Sequence, residues 1–193
     1  MLSEPTLSLS SDVPRHLTPD DILEMYQVHA AFLRQLLLRF GVREADVDDL
    51  LQDVFVVALR RQSDFEGRST VRTWLCGIAL RLATAHVRRR RVRELFRGST
   101  RLAAPSAEDV TANPERALEQ SRARDEVLRT LDRLSPKKRA VLVLYEIEQL
   151  SGDEIAEIVG CPVKTVWTRL FHARRDFTTA LRRQGLLDPG EGP

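Results

Sequence analysis

Cysteine is scarce: Cys76 and Cys161 are the only two in 193 residues. That excludes a disulfide-dense scaffold and a four-cysteine zinc site, and it fits a reducing cytoplasm. The histidines His16, His29, His86 and His172 stand too far apart for metal-ligand spacing. No apolar run approaches the ~18 residues of a membrane span; the best is Val54 to Leu59. The stretch Met1 to Ser11 carries Glu4 and no basic residue, so no secretory signal is expected. Proline is missing from Asp20 to Ala104, which leaves a long window open to helices. Hydrophobic residues at 42% and charged residues at 30% supply a core and exclude wholesale disorder. The expectation is a soluble, cytoplasmic, all-α chain of one large or two small domains.

The formal charge is only +2, but its distribution is uneven. Gly41 to Leu59 sets Glu44, Asp46, Asp48, Asp49 and Asp53 against Arg43, a net of −4. Arg60 to Arg97 is +8 and includes the run Arg88 to Arg91. Glu146 to Glu157 holds five acids and no base, and Val163 to Arg183 is again +5. An acidic stretch followed by a basic one therefore occurs twice. Two basic stretches in a nearly neutral chain suggest two surfaces facing polyanions.

Apolar spacing divides the chain further. Ile22, Tyr26, Ala30, Leu33, Leu37 and Phe40 make a helical stripe that Gly41 can end. Asp46 can cap a second helix with Val47, Leu50, Leu51, Val54 and Ala58 inward. A loop, Gln62 to Ser69, precedes a third helix from about Thr70, with Val71, Trp74, Leu75, Ile78, Leu82 and Ala85 inward. Gly98 to Asn113 is poor in large apolar residues and fits a flexible linker. Beyond it, Leu118, Val127, Leu128, Leu131 and Leu134 mark a helix, and Ser135-Pro136 opens another. Val141 to Tyr145 fits a buried strand, but nothing nearby offers it a pairing partner. The expected division is a disordered tail at 1–19, a domain at 20–97, the linker at 98–113, a domain at 114–185 and a tail at 186–193.

Ser151 and Glu154 form a capping box, and Ile155, Ala156 and Ile158 give that helix an apolar face. Gly160 can supply a left-handed turn and Pro162 can start the next helix. That helix turns Val163, Val166, Leu170, Ala173 and Phe177 inward. Its other faces carry Lys164, Thr165, Trp167, Thr168, Arg169, Phe171, His172, Arg174 and Arg175. Helix, short glycine turn and basic second helix make a helix-turn-helix, whose second helix fits the major groove of DNA. An ordinary helical hairpin is the alternative.

Four blocks carry a family resemblance. Val47 to Phe55, then Asp64-Phe65-Glu66-Gly67, then Thr73 to Ala79 resemble region 2 of bacterial RNA polymerase sigma factors of the extracytoplasmic-function group. Leu150 to Val166 resembles region 4 of the same group. The order and the short gap between the blocks match, with no room for a middle domain.

The resemblance implies a transcription initiation factor without catalysis, cofactor, metal or small-molecule substrate. It assigns the helix Asp46 to Leu59 to the clamp helices of the polymerase largest subunit, through Asp46, Asp48, Asp49, Leu50, Gln52, Asp53 and Phe55. The same acids also suit a helix N-terminus without any partner. Ser63, Asp64, Phe65, Arg68, Arg72, Trp74, Arg81 and Arg88 would meet the opened minus-ten DNA. Phe65 is open to a packing role as well, and the spacing of Trp74 favours core packing over base stacking. The second helix of the helix-turn-helix would read the minus-thirty-five element, and an anti-sigma factor is an implied partner. Position 167 is often basic in the family and is Trp167 here; position 164 is commonly glycine and is Lys164 here. A helix-turn-helix regulator acting alone is the second reading, and it needs neither the acidic helix nor the Phe65 loop. A nuclease would need a clustered His/Asp/Glu constellation on loops, which the sequence does not offer.

Overall fold

A computed structural model describes residues 19–97 and 114–187. The tail up to residue 18, the linker 98–113 and the tail from 188 lie outside them. Among the described residues every regular element is helical.

Helix α1, Pro19–Arg39, opens at Pro19, a residue assigned to the tail by sequence. It buries Ile22, Met25, Leu33, Leu36 and Leu37; of the expected stripe, Tyr26 is instead 42% exposed and Ala30 only partly buried. Helix α2, Glu44–Arg60, buries Val47, Leu50, Leu51, Val54, Phe55 and Ala58. Asp46 is not its cap. The chain enters at Arg43 with no side-chain cap, and Asp46 lies within the first turn. There its carboxylate meets the positive end of the helix dipole and accepts from Arg43 Nε at 3.1 Å. A short 3₁₀ turn, Gln62–Asp64, leads to helix α3, Val71–Arg97. Thr70 starts α3, its Oγ1 accepting the Thr73 backbone N–H at 3.1 Å.

The second half begins with α4, Pro114–Asp132, and α5, Pro136–Leu142. The Val141–Tyr145 run is helical, as the missing strand partners require. From Val143 to Ile147 the helix widens into a π turn, and the Glu148 N–H donates to the Val143 carbonyl at 3.0 Å. Helix α6, Gly152–Val159, has both halves of its capping box, an arrangement worth about 1 kcal/mol. Gly160 turns the chain at φ 64°, a conformation that costs a residue with a Cβ. Pro162 serves as N-cap rather than as first helical residue, and α7 runs Val163–Arg183.

The two expected helical domains are α1–α3 and α4–α7. Within them α1 packs on α2 and α3, and α7 packs on α4, α5 and α6. They also pack on each other, α6 against α3 and α4 against α1. One apolar cluster runs from Leu33, Val54 and Leu75 to Leu131, Val141 and Ile155. Ile158 approaches α3 at Gly77, where an added Cβ would stand 4.0 Å from Ile158 Cγ1.

Candidate functional site

The acidic face of α2 divides in two. Asp49, Gln52 and Asp53 are exposed. Arg34 of α1 pairs with Glu44 and reaches Asp48 at 3.3 Å. Asp46 pairs with His86 of α3 at 3.2 Å. Burial opposes the Asp46 charge, but the hydrogen bonds from Arg43 and His86 prevail and hold its carboxyl below the ordinary aspartate value. Leu50 and Phe55, both expected to contact a partner, are buried at 6% and 7% exposure. They support the helix instead, with Phe55 edge-on to Tyr26 at 4.9 Å.

The loop before α3 corrects a second expectation. Phe65 is 2% exposed and packs on Trp74, ring centroids 5.3 Å apart. No base can stack on it while the loop keeps this form. An aromatic residue in a polar loop reads as available; here it is the anchor that pins the loop to α3. Ser63, Asp64 and Arg68 remain exposed on that anchor. Asp64 pairs with Arg61 at 3.0 Å and Arg68 with Glu66 at 3.1 Å. Trp74 is half-buried against the core. Further along α3, Arg81 and Arg88 are exposed and line a cleft of about 650 Å³ between the halves, with Lys137 and Arg169 on the far side.

Arg72 is differently placed. Its Nη2 donates to Glu148 Oε2 at 2.7 Å, and its guanidinium lies 4.4 Å above the Phe32 ring.

On α7, Lys164, Trp167, Thr168, Phe171, Arg174 and Arg175 are exposed. Thr165 and His172 are partly covered, and Arg169 turns back to donate to Cys161 Sγ at 3.4 Å. Trp167 has 45% of its surface exposed while one edge rests on Gly152 and Tyr145. Arg174 donates to Glu146 at 2.6 Å and stands over the Tyr145 ring at 5.4 Å. One face of α7 thus offers lysine, hydroxyl, aromatic and guanidinium groups together, the chemistry of major-groove readout with phosphate anchoring.

Sequence reasoning missed Glu148, Arg39 and Thr73. Glu148 lay in an acidic run and carried no sign of burial. A glutamate one turn from a helix end is ordinarily solvated.

Comparison with known proteins follows this division. The model of Sigma-70 region 2 matches residues 25–93, and that of Sigma-70, region 4, matches residues 124–177. RNA polymerase sigma factor CnrH of Cupriavidus metallidurans is 36% identical over 79% of this chain and 82% of its own. The ECF RNA polymerase sigma-E factor of Escherichia coli is 34% identical over 69% and 72%. The solved structure of CnrH in complex with the cytosolic domain of CnrY aligns with a TM-score of 0.60 at 29% identity, covering 86% of this chain and 90% of that one. An acidic α2 and a basic α3 in region 2, followed by a helix-turn-helix in region 4, place this chain in the extracytoplasmic-function group of the sigma-70 family, non-enzymatic factors that direct RNA polymerase to promoters.

Proposed function

We propose that the three exposed faces divide the work of initiation. Asp49, Gln52 and Asp53 on α2, backed by Asp46 and Asp48, meet basic groups of the core polymerase. Ser63, Asp64 and Arg68, with Arg72, Arg81 and Arg88 of α3, hold the opened minus-ten strand. Lys164, Trp167, Thr168 and Phe171 of α7 read the minus-thirty-five element, while Arg174 and Arg175 grip phosphates. The observation that supports this most is the exposure of Asp49, Gln52 and Asp53 on a helix that buries Val47, Leu50, Leu51, Val54, Phe55 and Ala58 on its other side. A regulator acting by helix-turn-helix alone has no need of that face.

Among the described residues no helix is long and apolar enough to cross a membrane, and we place the chain in the cytoplasm with its polymerase. CnrH is solved with the cytosolic domain of CnrY; by that relation we infer a protein regulator here, an anti-sigma factor.

Run-off transcription with core polymerase on genomic promoter fragments tests the reading. Asp49→Lys with Asp53→Lys should abolish polymerase pull-down and run-off product while helix content stays the same. Unchanged pull-down would remove α2 from the polymerase contact.

A further inference from the structure

Glu148 is among the most buried charged residues described, at 3% exposure, and its partners come from the other half of the molecule. Arg39 of α1 donates to Oε1 at 2.8 Å and Arg72 of α3 donates to Oε2 at 2.7 Å. Arg72 also approaches the Glu148 backbone carbonyl at 3.5 Å. Beside this triad the Thr73 hydroxyl donates to Glu154 Oε1 at 3.0 Å, Ile158 rests on Gly77, and the Arg139 guanidinium of α5 lies over Gly41. All of these contacts join α1–α3 to α4–α7.

We infer that Glu148 is a latch that holds the free chain closed in a form unable to engage a promoter. The inference rests on the proposed role of Arg72 at the minus-ten strand. In the closed form that guanidinium is occupied by Glu148 and covers Phe32. Size gives a second, independent reason. A folded body of about 150 residues has a radius of gyration near 15 Å, hence a diameter of about 40 Å. The minus-ten and minus-thirty-five elements lie about 25 base pairs apart, or about 85 Å at 3.4 Å per pair. With Thr73 hydrogen-bonded to Glu154, the helix-turn-helix sits against α3 and cannot reach a second element that far away. The halves must part. The 16 residues from Gly98 to Asn113 permit this, since at ~3.3 Å each they reach about 50 Å.

The chemistry suits a releasable catch. A buried ion triad gains Coulomb energy but loses the hydration of three charges, and the two nearly cancel. The triad therefore specifies the closed geometry without locking it. Arg39 and Arg72 keep 29% and 43% of their side-chain surface in contact with solvent, so both rehydrate as soon as Glu148 leaves. Polymerase and promoter, binding the open form alone, draw the population over.

Small-angle scattering of the full chain, with circular dichroism as the folding control, tests the latch. Glu148→Gln keeps the shape of the side chain and removes its charge; Arg39→Gln removes one partner and leaves Arg72 intact. Glu146→Gln, which breaks a pair inside the second half, is the control. Both latch variants should raise the radius of gyration of the full chain by about a third over wild type, with helix content retained and the control unchanged. Binding of a single-stranded minus-ten oligonucleotide to the free chain should tighten about tenfold if the closed form holds nine-tenths of the wild-type population. A wild-type chain already expanded, or two compact latch variants, would overturn the latch. Expansion without tighter oligonucleotide binding would overturn its inhibitory role. Should Glu148→Gln lose helix content, Arg39→Gln decides. The scattering result involves no polymerase or DNA, so its failure leaves the promoter reading of the exposed faces standing.

Discussion

The indole of Trp167 lies against Gly152 so closely that a Cβ added to the glycine would stand 2.5 Å from Trp167 Cζ2. The first residue of α6 is therefore bare because the helix-turn-helix seats a tryptophan on it. Gly152→Ala should push the ring out and destabilise the protein by about 1–3 kcal/mol, the usual cost of overpacking. The double variant Gly152→Ala with Trp167→Ala should recover most of that loss, as contacting residues couple. Urea denaturation of the four proteins of the cycle checks this; equal effects of Gly152→Ala with and without the ring would refute the contact.

Trp167 has one N–H donor and a wide apolar ring, and 45% of the residue is exposed. It suits thymine methyls and sugar edges better than guanine. Trp167→Arg should change the preferred upstream sequence, with a mismatched base pair costing roughly 1–3 kcal/mol. Arg175→Ala should weaken all sequences alike and reduce the salt dependence by about one unit of slope. Selection from randomised upstream DNA distinguishes the two; one consensus shared by wild type and Trp167→Arg would take the indole off the reading face.

Phe65 holds the loop before α3 from beneath. Phe65→Ala should leave a cavity beside Trp74 and cost about 3–5 kcal/mol. Asp64→Ala, on the exposed side, should leave the melting temperature nearly unchanged and reduce permanganate reactivity of the melted promoter. Were Phe65→Ala to melt with wild type, the packing role assigned to it would fail.

Glu154 makes stability depend on pH. The Ser151 backbone N–H is the main influence on its carboxyl, burial opposes, and the hydroxyls of Ser151 and Thr73 assist; together they hold it below the ordinary glutamate value of 4.5. The folded chain then binds fewer protons than the unfolded one, so the contribution is complete above pH 4.5 and is lost as the pH falls through the folded value. The gap in thermal stability between wild type and Glu154→Gln should be widest near neutrality and should narrow below pH 4.5. A gap constant from pH 7 to 3 would contradict this.

Most of the helical plan was legible because its signals are local. The stripe in α1, the alternation around Val47 to Ala58, the Ser151–Glu154 box and the Gly160 turn each depend on residues within two turns of one another. Departures came where a distant partner decides. Asp46 reads as a cap but is held inside the first turn by Arg43 and by His86, forty residues on. The resemblance makes Leu50 and Phe55 contact residues, although spacing already turns Leu50 inward, and Phe65 reads as a loop aromatic. Only the packing of α1 on α2, and of Trp74 under the loop, shows Phe55 and Phe65 to be core. Glu148 belongs to a relationship spanning 76 and 109 residues, and no local pattern marks it.

The π turn at Val143–Ile147 has a consequence for how such a chain can change. One surplus residue in a helical turn rotates everything after it by about 100° relative to an ordinary α-helix. The inward bearing of Glu148 thus depends on the count of residues before it as well as on their identities. Losing a single codon in this short stretch would restore the common ladder and swing the carboxylate off Arg39 and Arg72, with every side chain of the latch still encoded. The latch is therefore as sensitive to the length of this stretch as to the identity of its residues.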